Sequence, residues 1–272
     1  MVPSNYPAEI ENVLHMLSPD IVHLEQYMDF LRNRMFRQTL LCHANQNPNY
    51  SLRAEQLKSF HIASPAKPKD ENPVLHTADQ VLFETPDGIT LHSQEPIVKA
   101  VMVLLAKLWP KTVPFMDLLA QARESLKAHG KENELKDDIA ALSQAFLTFY
   151  ASASTSLLEL YLHPSSFITE ITDKPEAWPL ARLQAITHNR VTNLRHESIF
   201  LGEFERHLLR FADGTHQRQE LVTLLTERVC AGELTVEQDG QAVHEQNHVH
   251  AMVGQAVDSQ MHTMARSALV VR

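Results

Sequence analysis

Glycine is scarce: 7 of 272 residues, about a third of the roughly 7% usage of ordinary proteins. Gly88, Gly130, Gly202, Gly214, Gly232, Gly240 and Gly254 are all isolated, so neither GxGxxG nor GxxxxGK[ST] occurs in the chain. Both loops need clustered glycines to bring backbone amides onto phosphate oxygens. Their absence argues against a nucleotide or dinucleotide site formed by this chain alone. Cysteine is scarcer still. Cys42 and Cys230 both lie inside apolar helical patterns, which reads as two core thiols in a reducing cytoplasm and not as a disulfide framework. No apolar run reaches the roughly 18–20 residues that span a bilayer, so no membrane partner is expected. The opening MVPSNYPAEIENV lacks the basic start and apolar stretch of a secretory signal; it resembles the interior of a longer reading frame. A basic segment is missing too. Residues 1–80 hold 7 Lys+Arg against 9 Asp+Glu, 81–165 hold 7 against 10, and 166–272 hold 10 against 14. A nucleic-acid binder usually presents a cationic face, because phosphate neutralisation dominates its affinity. No nucleic-acid partner is expected.

What is present is globular: 44% hydrophobic and 21% charged residues, at a length that suits two or three domains. The best-marked stretch is Ser18 to His43, SPDIVHLEQYMDFLRNRMFRQTLLCH. Ile21, Leu24, Met28, Leu31 and Met35 recur at alternating spacings of three and four, which stacks them on one helix face. Ser18 is placed to cap this helix, Pro19 fits its first position and Asp20 complements the dipole. Arg32, Arg34 and Arg37 fall near its far end, where cations offset the C-terminal partial charge. A shorter amphipathic helix, YPAEIENVLHML, precedes it.

Turn residues ANQNPNYS follow, then a short strand in SFHIAS, then PAKPKDENP as a linker or surface loop. We place a first boundary near residue 80. VLFET and GITLHS alternate around Pro86-Asp87-Gly88 as a hairpin. Glu95-Pro96 opens a buried helix that Trp109-Pro110 closes. Two more helices run from about Pro114 to Gly130 and from Asn133 to about Ala153, and LLELYLH alternates as a closing strand. Hairpin, three helices and strand resemble a winged-helix unit. The third helix is a poor recognition helix, since Lys136 is opposed by Glu134, Asp137 and Asp138.

Beyond Pro164 the pattern predicts a helix from Pro179 to about Thr187. Val191–Leu201 admits either strand, turn and strand or a helix through HESIFL. Helices in EFERHLLRFA and HQRQELVTLLTERVCAG follow, then a hairpin in ELTVEQDGQAV and a final helix from about Gln246 to Ala268. The fold class is therefore α+β and mostly helical. An N-terminal helical segment (1–80) precedes a winged-helix-like middle domain (81–165) and a helical, winged-helix-like C-terminal domain (166–272).

Among 16 histidines, His244 and His248 stand at i and i+4, the spacing of a helical zinc pair. No HExxH accompanies them, and solvated surface histidines are the simpler reading. No GxSxG elbow supplies a nucleophile. Catalytic, cofactor-binding and metal residues are therefore expected to be none. Arg195-His196-Glu197 suits acid–base work only inside a pocket; a structural ion pair is the simpler reading. For a partner the surface to test is Arg32, Arg34, Arg37 and His43, because arginine pairs bidentately with carboxylates; Arg195, His196 and Glu197 are a second candidate surface.

LEQYMDFLRNRMFRQTLLCH, the FHIAS strand, VTNLRHESIFLGEFERHLLRFADGT and GELTVEQDGQAV, in this order and at these intervals, resemble the methyltransferase regulatory-domain family. The resemblance covers almost all of the chain. In that family these blocks lie downstream of a class I methyltransferase domain that binds S-adenosylmethionine. Rickettsial-type protein lysine methyltransferases, which modify outer-membrane proteins, have a similar layout. The resemblance implies a regulatory and substrate-protein-recognition, or dimerisation, module without activity of its own. Its implied partners are a catalytic domain in cis or trans, a protein substrate and a second copy. S-adenosylmethionine is expected on the catalytic domain and not on this chain. The rival readings are a winged-helix transcriptional regulator and a stand-alone protein-interaction adaptor.

Overall fold

The computed structural model describes residues 6–36, 41–46, 48–49, 53–128, 130, 133–152, 157–235, 237–238, 241–242 and 246–271. The architecture is α+β and mostly helical, with small antiparallel sheets. Helices α1 (Ala8–Leu17) and α2 (Ile21–Leu31) form an antiparallel pair at the start. Asp20 caps α2, its Oδ1 accepting the His23 amide at 2.9 Å, where the sequence pattern favours Ser18. Ser18 instead lies in the link, with its Oγ buried and unpartnered among the described residues.

Helix α2 also stops 12 residues short of His43, at Leu31. Asn33 adopts φ 50°, and the amides of Asn33 and Arg34 donate back to the Phe30 and Asp29 carbonyls at 3.1 and 3.0 Å. These are the two bonds of a Schellman cap, which asparagine tolerates in the left-handed position. Met35 and Phe36 remain 84% and 86% exposed, so no core rewards a longer helix, and short helices live on tertiary packing.

A 3₁₀ turn, Ala54–Ser59, leads into β1 (His61–Ala63), the central strand of an antiparallel sheet flanked by β5 (Val113–Pro114) and β6 (Glu159–Tyr161). A second sheet has β2 (Lys67–Pro68) at one edge of the hairpin β3 (Val81–Glu84) and β4 (Thr90–Ser93). Gly88, at φ 78°, makes the hairpin reversal, as Pro86-Asp87-Gly88 predicts. Pro96 opens α3 (Pro96–Leu108), and α4 (Phe115–Lys127) and α5 (Leu135–Ser152) pack around it. Their shared core holds Phe83, Met102, Leu105, Phe115 and Phe146 and recruits Leu57, Ile62 and Ala66 from ahead of residue 80. Phe115 and Phe146 meet edge to face, 6.4 Å between centroids.

The C-terminal core is separate. It is built from α6 (Pro179–Gln184), the hairpin β7 (Arg190–Thr192) and β8 (Ser198–Phe200), α7 (Glu203–Phe211), α8 (Arg218–Cys230) and α9 (Gln246–Arg266), and the hairpin β9 (Glu237–Gln238) and β10 (Gln241–Ala242) falls between α8 and α9 in the chain. Of the two readings open for Val191–Leu201, the hairpin is the observed one. Asn193 Oδ1 organises its turn, accepting the amides of Arg195 and Glu197 at 2.9 and 2.8 Å, while His196 takes φ 61°. Gln217 and Glu220 form a reciprocal capping box at the start of α8. After α9 the chain turns back. Val270 bridges to Ala177, with the Trp178 amide donating to the Leu269 carbonyl at 2.7 Å and the Val271 amide to that of Glu176 at 2.8 Å.

Candidate functional site

The α1–α2 pair buries little. Leu14, Leu24 and Met28 are its buried residues, with Tyr6, Ile21 and Tyr27 packed partly against them. Three side chains cannot cover two amphipathic helices, and a groove of about 480 Å³ lined by Ile10, Val13, Leu17, Tyr27, Phe30 and Leu31 stays open. Phe30 is 68% exposed and Leu31 55%. Large contiguous exposed apolar surface is the mark of an interaction site. The helix spacing that makes this face was legible in the sequence; that it stays uncovered was not.

Two of the arginines singled out from the sequence, Arg32 and Arg34, follow the groove residues Phe30 and Leu31 in the chain, and both are engaged. Arg32, at the C-cap of α2, donates through Nε to the Tyr6 hydroxyl at 2.6 Å and lies 5.1 Å over its ring, tying the start of the chain to the end of α2. Arg34 has left the helix; its Nε donates to the Phe36 carbonyl at 3.1 Å, and Nη1 lies 3.7 Å from Asp29 Oδ1. His43 is exposed and its carbonyl accepts the Gln46 amide at 2.9 Å. Arg37 lies outside the described residues. The helix that was to place all four together ends too early to do so.

Arg195, His196 and Glu197 occupy the β7–β8 turn and divide by exposure. The Arg195 side chain is 9% exposed. Its Nη1 and Nη2 donate to the two carboxylate oxygens of Glu159 at 3.0 and 2.5 Å, and Nε donates to Glu197 at 3.1 Å. The guanidinium lies 4.4 Å over the Trp109 ring and 5.8 Å from Phe167. Burial disfavours the charged form of Arg195, but the hydrogen bonds and charge of Glu159 and then Glu197 outweigh it, so the arginine is held charged more firmly than usual. Beside it Tyr161 donates its hydroxyl to Glu159 at 2.8 Å; burial first, then that carboxylate, pushes the phenol up to about 12. Glu159 and Tyr161 lie on β6 and Trp109 caps α3, elements of the middle unit, so Arg195 makes an ion-pair joint between the two cores. His196 faces solvent.

Cys42 and Cys230 are both exposed, against the expectation of core thiols. Cys42 follows the early end of α2, and Cys230 falls on the solvent track of α8 with Thr223 and Glu227. His244 lies outside the described residues, His248 is exposed and His250 Nδ1 stands 3.4 Å from Thr226 Oγ1. Among the described residues no group of three His, Cys, Asp or Glu side chains is arranged to hold a metal, and no helix is long and apolar enough to cross a membrane.

A two-helix segment with an open apolar face thus precedes two α+β cores. Comparison gives that face a context. Residues 173–269 match the PKMT C-terminal winged helix domain, and residues 1–43 match a predicted methyltransferase regulatory domain. Over these two segments the chain is similar to the methyltransferase regulatory domain and to the C-terminal winged helix of PKMT proteins. PKMT2 from Rickettsia typhi, solved in complex with AdoHcy, is 27% identical and superposes on 98% of this chain and 53% of its own with a TM-score of 0.85. A further structure of PKMT2 from Rickettsia typhi gives 0.82 at 26% identity. The uncharacterized protein RP789 of Rickettsia prowazekii is 27% identical over 100% of this chain and 49% of its own length. RP027 of the same organism is 29% identical over 79% of this chain and 88% of its own. The chain thus spans about half the length of RP789 and of PKMT2.

Proposed function

We propose that this chain is the regulatory and protein-recognition module of an S-adenosylmethionine-dependent protein methyltransferase, itself inactive, with cofactor and chemistry carried by a catalytic domain in cis or in trans. The observation that carries this reading is the open apolar groove of α1 and α2, which lies within the segment matching the regulatory-domain model. A contiguous exposed apolar face of this kind favours being covered by another surface. The relatives that are twice as long supply a candidate cover, the half that this chain does not span. A second copy of the chain is the competing occupant within the same reading, and the oligomeric state of the free chain separates the two.

The transcriptional-regulator reading of the winged helix draws little support from local charge. On α8, Arg218 is paired with Asp258 and Arg228 with Glu233, so two of the cations a phosphate backbone would draw on already have acid partners.

Incubating the purified chain and a protein lysate with labelled S-adenosylmethionine, with and without a PKMT-type catalytic domain, tests the proposal. Label is expected only when the domain is present, at a rate that falls at least tenfold with Leu17→Asp plus Phe30→Asp. Label transferred by the chain alone overturns the inactive-module reading. An unchanged rate with the double variant overturns the docking face.

A further inference from the structure

A second cleft, of about 570 Å³, opens where the middle core meets the end of α9. Its walls are β2, the 71–75 loop and α3, and Arg266 closes it from the C-terminal core. Arg266 is anchored there, its Nη2 donating to the Ala106 carbonyl at 2.8 Å. Lys67 and Lys107 line the same space, both exposed. Among the described residues neither lysine has a carboxylate partner. Glu71 is the one acid of the lining, and Glu84 stands opposite Lys67 across the β2–β3 ladder. In a chain of net charge −9, three cations converging on one cleft reverse the local sign. Leu75 and Val103 add apolar wall between them.

The wall is preformed by a buried lysine. Lys99, 0% exposed, donates from Nζ to the carbonyls of Val74, Thr77 and Asp79 at 3.2, 2.7 and 3.0 Å. Val74 lies between Pro73 and Leu75, both of which line the cleft. Lys99 thus acts as a positioning residue for the loop and makes no contact with the open space itself. The β2 edge offers little to an added strand, because it is two residues long and one of them is Pro68, which has no amide to donate. Recognition here falls to side chains.

We propose that this cleft binds an acidic, aliphatic stretch of the protein that the module recognises. Lys67 and Lys107 pair with its carboxylates, Arg266 reads a third acceptor, and Leu75 and Val103 take the aliphatic side chains. Carboxylates flanking small apolar groups match both the charge and the mixed polarity of the walls. This inference rests on the protein-recognition reading, but its test needs no catalytic domain.

The full chain is titrated into a fluorescein-labelled Glu-Leu-Glu-Glu-Val-Glu peptide, with its Lys-for-Glu counterpart as control, and anisotropy is read at 50 and 200 mM salt. Saturable binding of the acidic peptide alone is expected, weaker at the higher salt. Lys67→Glu plus Lys107→Glu is expected to weaken it at least tenfold, and Lys174→Glu, outside the cleft, less than twofold. Absence of binding, binding that survives the double reversal, or equal sensitivity to Lys174→Glu overturns the assignment. Should it fail while the added catalytic domain still methylates with the chain's help, the cleft is eliminated and the module reading stands. If the peptide binds but the domain gains nothing, the cleft stands and the methyltransferase role falls.

Discussion

The Arg195 guanidinium lies 4.4 Å over the ring of Trp109, so a turn of the C-terminal core rests on the residue that ends α3 of the middle core. The same arginine holds both oxygens of Glu159. Removing one partner of this partly buried ion pair strands the other charge, at a cost of up to about 3–5 kcal/mol, the value for a fully buried pair. Trp109 and Trp178 are the two tryptophans of the chain, one beside each core, and each is a reporter once the other is replaced by Phe. In urea the two reporters are expected to report one shared transition in the parent protein. With Arg195→Ala they should part, the weaker core melting first. A single shared transition in the variant would show that the joint lies elsewhere.

Lys99 is a cation with three carbonyl acceptors and no carboxylate within an ion-pair distance among the described residues. Burial lowers its pKa, with Asp79 and Glu95 pulling it back up. The folded state therefore releases this proton more readily than the unfolded chain. Stability on this account rises with pH from the lowered folded value towards the ordinary 10.5. Lys99→Met should remove that alkaline rise while leaving three carbonyls unpaired, at about 1–3 kcal/mol. Chemical denaturation between pH 7 and 10.5 reads the slope, and faster hydrogen exchange across residues 74–79 reads the loosened loop.

Asp213 predicts the same sign of trend, a rise of stability with pH, but in the acid range. Burial raises its pKa, but hydrogen bonds from the Thr215 hydroxyl and amide and from His216 outweigh that and hold the carboxyl well below the usual carboxylate range. A depressed folded value contributes stability above the ordinary 3.8 and loses it as pH falls towards the folded one. Asp213→Asn should therefore be clearly less stable than the parent at pH 7, and the gap should narrow as denaturation is followed down to pH 2. A gap that stays constant removes the carboxylate from the account.

The N-terminal pair should behave as an independent weak point. Leu24 is 7% exposed within a core of three buried side chains. Leu24→Ala costs about 2–5 kcal/mol wherever the site cannot collapse, more than so small a core can lose. Amides of α1 and α2 are expected to exchange freely in the variant, with those around Leu208 in the C-terminal core unchanged. Equal loss of protection in both would mean that the pair is welded to the rest.

Local grammar was easy to read and long-range chemistry was not. Pro96 at the start of α3 and Pro86-Asp87-Gly88 in the hairpin act on their immediate neighbours, so sequence alone places those elements within a residue or so. Helix α2 was overextended because Met35 continues the three-four spacing, while Asn33 is a stop signal weaker than glycine. Cys230 looks apolar and helical, yet one residue's rotation around α8 decides that it faces water. The Arg195–Glu197 pair was legible as an ion pair, whereas Lys99 and the Glu159 partner of Arg195 were the least legible. Those acceptors lie 20–25 and 36 residues away in sequence, a distance at which no pattern of spacing carries information. The surface arginines were read onto one helix, and α2 ends at Leu31, before the first of them.

The return of Leu269–Val271 to residues 176–178 ties the last stretch of backbone to the first stretch of its own core. During synthesis the middle core has all its strands once Tyr161 has emerged, and folding by units lets it settle at that point. The C-terminal core has no such early option. Its closing contacts, from residues 176–178 to Leu269–Val271, form only when about 95 residues of chain lie between them, so this core closes later than the middle one.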